Sequence, residues 1–257
     1  MGILNINSDS FFSKSRIKAH FAQEKIENMI NDGADIIDIG GLSSRPGSDG
    51  LSDEDELERI KEVVDIVYKN RYFEKVTFSL DSYSPLCLDY ALSHGFKIVN
   101  DITGLENDEV CKIAKKYNAA VCIMHMKGDP KNMQENPTYQ NVIKEVNSFF
   151  ETRVEKAKNF GIKDIILDVG IGFGKSLEHN IELIKNQKYF LHFGYPLLIG
   201  ASRKSMIDKI SPSKVEDRLP GTLIAHFGAV KNGASIIRCH DVKEHIQALR
   251  VFEALEV

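Results

Sequence analysis

Eight short apolar runs recur along the chain, and each ends close to a side chain that can bind or react. In chain order, those side chains are Asn5, Asp38, Asp81, Asn100, His125, Asp168, Ser202 and Arg238. The intervals between the runs are long enough for a helix. Parallel strands that alternate with helices close into a barrel, which presents functional groups at the C-terminal ends of its strands. The pattern therefore predicts an α/β fold of the (β/α)8 barrel type, with the active site at that end.

The predicted strands are spread along the whole chain. They are Gly2–Ile6, Asp35–Ile39, Val76–Leu80, Lys97–Val99, Ala120–Met124, Asp164–Leu167, Pro196–Ile199 and Ser235–Ile237. Most of them are unbroken apolar runs, which is typical of parallel strands buried on both faces. Because no linker or change in composition interrupts the 257 residues, we predict one domain over residues 1–257.

Between the strands, apolar residues recur at helical spacing. The clearest predicted helices are Glu54–Tyr68, Asn141–Asn159 and Val242–Leu255. Glycines at positions 33, 95, 161 and 233 each stand just before a strand, where a helix commonly ends in left-handed backbone. Two connections, Phe11–Lys18 and Leu42–Ser52, are instead long and polar, and such loops at an active face are commonly lids.

Composition excludes several classes of partner. The net charge of −4 and the pI near 6.1 give no reason to expect nucleic acid or an anionic membrane. No run approaches the ~18 apolar residues of a membrane span. The four cysteines include no close pair and no Cys-x-x-Cys, which favours reduced thiols and a cytoplasmic protein.

A glycine-rich segment follows the sixth predicted strand. Asp168-Val-Gly-Ile-Gly-Phe-Gly-Lys175 places three alternate glycines between an aspartate and a lysine. The glycines would permit close approach of the backbone to a flat ligand. Asp168 offers two acceptor oxygens to a pair of N–H donors. A ligand site is the favoured interpretation, and a chance resemblance to a nucleotide-binding loop is the alternative.

Cations cluster after the last two strands. Ser202-Arg-Lys-Ser205 carries two adjacent cations and two hydroxyls, which suit an anion or a carbonyl group. In Arg238-Cys-His-Asp241, strand alternation places Arg238 and His240 on one side, where both can donate to a phosphate. The alternatives are a solvated helix start for the first motif and a histidine that only satisfies the core for the second.

Carboxylates follow the second and third strands. Asp38-Ile-Gly-Gly begins a glycine-rich turn, and Asp81 ends Ser-Leu-Asp. A buried carboxylate such as Asp81 needs a partner, which could be an N–H-rich ligand or a structural Arg or Lys. The acidic run Asp53–Glu58 is expected to be the solvated first turn of a helix. The histidines at positions 125, 226 and 240 lack the spacing of a metal cage.

Together these motifs resemble the bacterial dihydropteroate synthases over nearly the whole chain. Six blocks match in order: Met1–Asn5 with Asp9–Phe11; Asp38–Gly41 with Ser43–Gly47; Asn100–Gly104; Met124–Gly128 with Met133–Gln134; Asp168–Lys175; and Ser202–Ser205 with Arg238–Asp241. The resemblance implies a barrel that joins 6-hydroxymethyl-7,8-dihydropterin diphosphate to 4-aminobenzoate in folate synthesis. It also implies Mg²⁺ as cofactor and a homodimer formed by helices near the C-terminal end.

The resemblance further implies a role for each matching residue. The residues expected to hold the pterin ring are Asp81, Asn100, Met124, Asp168 and Lys204. Those expected around the magnesium and the diphosphate are Asn5, as the metal ligand, with Arg45, Arg238 and His240. Those expected near the aminobenzoate are Phe11, Ser44, Pro46, Phe173 and Ser205. The expected catalytic set is Asn5, Asp81, Asp168, Lys204, Arg238 and His240, with Arg238 facing the phosphates rather than the ring.

The chain also departs from the pattern of the family it resembles. The unusual residues are Ser8, Ser13, Leu42, Ser44 and Val169, where Pro, Asp, Glu, Thr and Pro are usual. Two other functions stay open: methyl transfer from methyltetrahydrofolate to a corrinoid, and pterin binding without catalysis. For the synthase reaction, departure of diphosphate before attack and direct displacement by the amine are both compatible with these residues.

Overall fold

The computed structural model describes residues 1–6, 15–41, 51–129 and 132–255. Its strands are β1 (Gly2–Asn5), β2 (Ile36–Gly40), β3 (Thr77–Asp81), β4 (Ile98–Asp101), β5 (Ala120–Met124), β6 (Ile165–Asp168), β7 (Leu197–Ile199) and β8 (Ile236–Ile237). They pair in sequence order, and every pairing is parallel. A parallel bridge between Gly2 and Cys239 joins the continuation of β8 to β1. The predicted (β/α)8 barrel is confirmed.

Helices connect the strands on the outside of the barrel. They are α1 (Ser15–Asn31), α2 (Asp53–Lys69), α3 (Pro85–Ser93), α4 (Asp108–Tyr117), α5 (Val142–Asn159), α6 (Leu177–Lys185), α7 (Ser205–Ile210), α8 (Leu219–Lys231) and α9 (Val242–Leu255). The predicted strands and helices agree with these bounds to within two residues, the usual uncertainty of an element's end. One loop prediction is wrong at its end, because α1 already begins at Ser15.

Four of the connections end as the glycine pattern predicts. Glycines 33, 95, 161 and 233 have φ angles of 95°, 93°, 75° and 103°. This left-handed backbone carries no steric penalty for glycine, so it reverses the chain from the end of a helix into the next strand. The predicted helix-terminating role of these glycines is confirmed.

The start of α2 is capped by a serine, and the prediction of a solvated acidic run there holds for all but one carboxyl. Ser52 caps the helix: its Oγ accepts from Asp55 N at 3.1 Å and donates to Asp55 Oδ2 at 2.8 Å. Four carboxyls of the acidic run are exposed as predicted, those of Asp53, Glu54, Asp55 and Glu58, whereas Glu56 is 1% exposed. Burial raises the pKa of Glu56 to about 7, since the charged form of a carboxyl is disfavoured away from water.

Apolar side chains fill two regions. The larger core lies between the sheet and the helices, and a second cluster of Ile98, Cys122, Ile166 and Leu198 comes from four neighbouring strands. All four cysteines are buried free thiols. No helix in the described part of the chain is both long enough and apolar enough to cross a membrane.

Candidate active site

Strand register brings the predicted site residues of the first four strands side by side. Asn5 pairs with Gly40, Gly40 with Asp81, and Asp81 with Asn100. All of them lie at or beside the C-terminal ends of their strands, the edge at which barrel enzymes carry their active sites. Three of the predicted residues therefore line one arc of the barrel mouth.

Arg238 reaches from beyond β8 to carboxylates on β2 and β3. Its Nε donates to Asp38 Oδ2 and its Nη2 to Asp81 Oδ2, each at 2.7 Å. Asn100 Nδ2 donates to the same oxygen of Asp38 at 3.0 Å. The partner that a buried Asp81 requires is thus Arg238. The guanidinium expected to face the phosphates thus contacts two carboxylates, of which Asp81 belongs to the expected ring-binding set. Its role toward a ligand stays a prediction.

Asp38 is a central site residue that the predicted ring-binding set omits. It is fully buried, and its Oδ1 has no hydrogen-bond partner. The signal that could have identified it is strand alternation, since Asp38 and Gly40 lie on the same face of β2. An unpaired buried acceptor is costly, so this oxygen favours a bound group with N–H donors.

The environment of Asp81 also favours such a donor. Burial raises the pKa of Asp81 to about 7, although Arg238 opposes this shift. The neighbouring Asp38 raises the pKa further, because two carboxylates close together disfavour each other's charge. A cationic or N–H-rich ligand would stabilise the ionised form.

Asp168 and Lys204 form the opposite arc. Asp168 Oδ1 accepts from Gly170 N at 2.8 Å, and burial raises the pKa of Asp168 against the opposing charge of Lys204. Burial lowers the pKa of Lys204 to about 8, and Asp168 works against that shift. The ammonium donates to Ile171 O and lies 4.5 Å from the centroid of the Phe173 ring. This arc therefore combines an acceptor, a cation and an aromatic ring.

Two glycines of the glycine-rich segment are required by contacts inside the protein. A Cβ on Gly170 would stand 1.9 Å from His125 O, and one on Gly174 would stand 2.1 Å from Lys127 O. These two glycines allow the segment to pack against the protein's own backbone after β5. These two glycines are therefore required whether or not a ligand binds, and close approach of a ligand to the segment stays a prediction.

Lys175 stabilises the packing of this segment against the backbone after β5. The predicted site residues do not include it. Its Nζ lies 3.0 Å from His125 Nδ1, 3.2 Å from His125 O and 2.9 Å from Phe173 O. Burial lowers the pKa of Lys175 well below its ordinary value, and Asp168 opposes that shift. Burial also lowers the pKa of His125 to about 2, so His125 is neutral and acts as a structural acceptor.

The cation motif after β7 divides between the inside and the outside of the barrel. Ser202 Oγ lies 2.9 Å from His240 Nδ1, which brings the two motifs together at the mouth as predicted. Arg203 pairs instead with Asp241, at 3.0 Å from Nε to Oδ2 and 2.6 Å from Nη2 to Oδ1. Only one of the two adjacent cations, Lys204, therefore joins the mouth.

The remaining predicted residues are placed as follows. Met124 ends β5, is 4% exposed, and pairs in register with Asp168. Ser205 is exposed and is the first residue of α7. The predicted residues Phe11, Ser44, Arg45 and Pro46 lie outside the described residues, as do most of the two predicted lids. Within the described residues, no group of three or more His, Cys, Asp or Glu side chains could hold a metal ion.

Comparison with known proteins agrees with this geometry. The family model described as pterin binding enzyme matches residues 1–240. The dihydropteroate synthase of Escherichia coli is 42% identical over 257 residues, which cover 99% of this chain and 90% of that protein. The chain belongs to the dihydropteroate synthase family. A bifunctional dihydropteroate synthase/dihydropteroate reductase of Helicobacter pylori is also 42% identical, over all of this chain and 67% of that protein.

Solved structures of dihydropteroate synthases match the whole barrel. The Yersinia pestis enzyme with a sulfonamide drug superposes with a TM-score of 0.91 at 37% identity, covering 100% of this chain and 93% of that one. The Thermus thermophilus enzyme in complex with 4-aminobenzoate gives a TM-score of 0.89 at 34% identity, covering 99% and 93%. Family membership favours the synthase over a corrinoid methyltransferase.

Proposed function

We propose that this enzyme joins 6-hydroxymethyl-7,8-dihydropterin diphosphate to 4-aminobenzoate, giving 7,8-dihydropteroate and diphosphate. The methylene carbon loses its bond to the diphosphate oxygen and gains a bond to the amine nitrogen, which then releases a proton. One observation carries the proposal: the carboxylates of Asp168, which is buried, and of Asp81, which is 13% exposed, share a barrel mouth with Arg238 and Lys204. The 4-aminobenzoate bound in a related structure supports the same substrate class.

The pterin ring binds between the two arcs of the mouth. Its amino and ring N–H groups donate to Asp168 and Asp81, whose carboxylates can accept further hydrogen bonds beside those from Gly170 N and Arg238. Asn100 contributes from the neighbouring strand, and Lys204 donates to the ring carbonyl. Met124, at the end of β5, packs against the face of the ring.

The reaction is assisted mainly by electrostatics. As the bond to diphosphate breaks, positive charge develops on the electron-rich pterin, and the carboxylates Asp81 and Asp168 stabilise it. His240 and Arg238 donate to the leaving diphosphate. Charges that are already fixed in place need no reorganisation during the reaction, which makes them effective. Both departure before attack and direct displacement by the amine fit this arrangement.

The aminobenzoate binds beside the glycine-rich segment. The Phe173 ring, 4.5 Å from the Lys204 ammonium, supplies an aromatic surface, and Ser205 supplies an exposed hydroxyl. Positioning the amine against the methylene carbon makes the attack effectively intramolecular. We assign Phe11, Ser44 and Pro46 to the same subsite from the family resemblance, with Arg45 at the phosphates.

We propose that Mg²⁺ binds beside Asn5. A Cβ on Gly40 would stand 3.5 Å from Asn5 Oδ1 and 3.7 Å from Asp81 Oδ2, so the glycine keeps this gap between oxygens open. Mg²⁺ usually takes one or two protein oxygens together with substrate phosphates and water, which matches Asn5 as ligand. The ion would neutralise charge on the diphosphate. Treatment with EDTA should stop product formation, and added Mg²⁺ should restore it.

A homodimer and a cytoplasmic location complete the proposal. Large apolar side chains are exposed on α8 and α9: Ile224 is 78%, Val251 56% and Leu255 78% exposed. Exposed apolar groups on two helices that contact each other favour burial against a partner, here a second copy of the chain. Four buried free thiols are typical of a reducing compartment.

The decisive test incubates the protein with both substrates and Mg²⁺. We expect 7,8-dihydropteroate by mass spectrometry and an equal amount of diphosphate in a coupled assay. Asp168→Asn, which removes one acceptor, is the matched variant and should lose most of this activity. Pterin binding without either product would instead indicate a non-catalytic pterin-binding protein and would overturn the proposal.

A further inference from the structure

The backbone hydrogen bonds between β7 and β8 do not extend as far as Lys204 and His240. The register pairs Leu198 with Ile236 and Ile199 with Ile237. Two further backbone bonds of 2.9 Å flank this pairing, from Ser235 N to Leu197 O and, at the mouth end, from Arg238 N to Ile199 O. Among the described residues, no backbone–backbone hydrogen bond joins positions 200–204 to positions 239–241. Lys204 and His240 both lie in those stretches, so other groups must hold them in relation to each other.

A series of hydrogen bonds through two histidines spans this gap on the outside of the barrel. Ala201 N donates to His226 Nε2 at 2.9 Å. His226 Nδ1 lies 2.9 Å from His245 Nε2, and His245 Nδ1 lies 2.6 Å from Asp241 O. The backbone after β7 is thereby connected to the backbone after β8 through two imidazole rings, one on α8 and one on α9.

The groups at the two ends of this hydrogen-bond series, Ala201 N–H and Asp241 O, determine the protonation of both rings. Because Ala201 N–H can only donate, His226 Nε2 must accept, and its proton therefore lies on Nδ1. His245 Nε2 must then accept that proton's hydrogen bond, which leaves His245 Nδ1 to donate to Asp241 O. Each ring is neutral, and each has one possible tautomer.

Burial maintains that state. His226 is fully buried and His245 is 5% exposed. Burial lowers the pKa of His226 to about 3, and the neighbouring His245, Lys204 and His240 lower it further. Burial likewise lowers the pKa of His245, against the opposing charge of Asp241. Both shifts favour the neutral rings that the hydrogen bonds require.

Two further contacts close the connection into a ring. The Asp241 carboxylate binds the Arg203 guanidinium at 2.6 and 3.0 Å. Arg203 N donates to Thr222 Oγ1 of α8 at 2.9 Å. On the inner side of the same two turns, Ser202 Oγ lies 2.9 Å from His240 Nδ1. The outer layer of polar groups thus supports an inner layer that faces the mouth.

We propose that His226 and His245 are positioning residues of the reaction: they fix the turn that carries Lys204 against the turn that carries His240. This inference rests on the proposed function of the mouth. Neither ring touches substrate. They act by holding the carbonyl-binding ammonium and the diphosphate-binding imidazole at a set separation, which a two-residue strand cannot do alone.

The test compares His226→Leu, which fills the space but cannot accept from Ala201 N, with His226→Gln, which keeps one acceptor and one donor. Val67→Ala on α2 is the control. Val67 is buried near the C-terminal end of that helix, which lies away from the mouth, so the substitution opens a small cavity in the core far from the site. We measure KM for the pterin diphosphate, kcat, and the Kd of inorganic diphosphate with Mg²⁺ by calorimetry.

For His226→Leu we expect KM and Kd to rise about fivefold, the factor that corresponds to the loss of one net hydrogen bond, with a smaller change in kcat. His226→Gln should recover most of the loss, and Val67→Ala should bind as the wild type does. If His226→Leu binds like Val67→Ala, or if glutamine recovers nothing, the inference is wrong.

Nuclear magnetic resonance of the wild-type protein keeps the test decisive even where a variant fails to fold. The imidazole ¹⁵N shifts should show both rings neutral and protonated on Nδ1 between pH 5.5 and 8. A ring that titrates in this range, or that carries its proton on Nε2, would overturn the inference. A wild-type protein that binds diphosphate but forms no 7,8-dihydropteroate would contradict the proposed function instead.

Discussion

Removal of the Arg238 guanidinium should destabilise the protein in a manner that depends on pH. Arg238 is the cationic partner of Asp38, whose side chain is fully buried, and of Asp81, whose side chain is 13% exposed. Removing one partner of a buried ion pair costs ~3–5 kcal/mol. Arg238→Met retains most of the side-chain volume, so we expect a loss of about this size in the free energy of unfolding at pH 8.

The sign of the pH dependence follows from the carboxyl groups. The pKa of Asp81 is raised to about 7 in the folded protein, against ~3.9 in an unfolded chain. The folded state therefore binds more protons, and stability falls as pH rises from the unfolded value to the folded one. Without Arg238 the folded pKa rises further. The extra instability of the variant should then be smaller at pH 5, where Asp81 is protonated, and should grow above pH 7.

Urea unfolding at pH 5 and pH 8, without any ligand, measures this difference directly. Arg71→Met is the matched control, because Arg71 pairs with Glu74 and both side chains are largely exposed; little change is expected at either pH. The reasoning is refuted if Arg238→Met loses no more stability than Arg71→Met at pH 8. It is equally refuted if the loss is the same at both pH values.

Three further predictions concern the other arc and the glycine-rich segment. Asp168→Asn should weaken binding of 6-hydroxymethylpterin by ~1.5–3 kcal/mol, the contribution of a hydrogen bond to a charged group, and unchanged affinity in calorimetry would remove Asp168 from the site. Because burial raises the pKa of Asp168 and Asp81, a ligand that donates N–H bonds should release protons on binding near pH 6. Calorimetry in two buffers of different ionisation enthalpy detects this release, and proton uptake would contradict it. Gly170→Ala should cost ~1–3 kcal/mol more than Gly194→Ala, as expected for overpacking. Both glycines have positive φ, but only a Cβ on Gly170 would meet backbone, at 1.9 Å from His125 O; equal losses in urea unfolding would contradict this.

The fold could be predicted from the sequence because its signals are local. A buried parallel strand is marked in the sequence by an apolar run, and the end of a helix is often marked by a glycine. Both signals lie within a few adjacent residues. The positions of Asp81, Asn100 and Asp168 follow from the same logic, since a polar residue at the end of a barrel strand must lie at the mouth. These predictions required no knowledge of what lies beside each residue.

Where the predictions failed, the partner lies far away in the sequence. Arg203 and Lys204 are adjacent, yet one binds Asp241 outside the barrel and the other lies beside Phe173. The direction of Arg203 depends on its φ of 55°, which turns the backbone after β7. Nothing in Ser-Arg-Lys-Ser by itself distinguishes the two cations. The burial of Glu56 has the same cause, because an acidic helix start gives no sign of which of its carboxyls faces the core.

The strands of the barrel differ in length, so the number of backbone hydrogen bonds that support the mouth differs from one side of the barrel to the other. β2, β3 and β5 are each five residues long, whereas β7 has three residues and β8 has two. The long strands lie on the side of the barrel that carries Asp81 and Asn100, and the short ones carry Lys204 and His240 just beyond their ends. Local opening requires least free energy where few backbone bonds must break. The half of the mouth that carries Lys204 and His240 therefore has fewer backbone bonds to break, and its shape depends more on the side-chain contacts beyond β7 and β8.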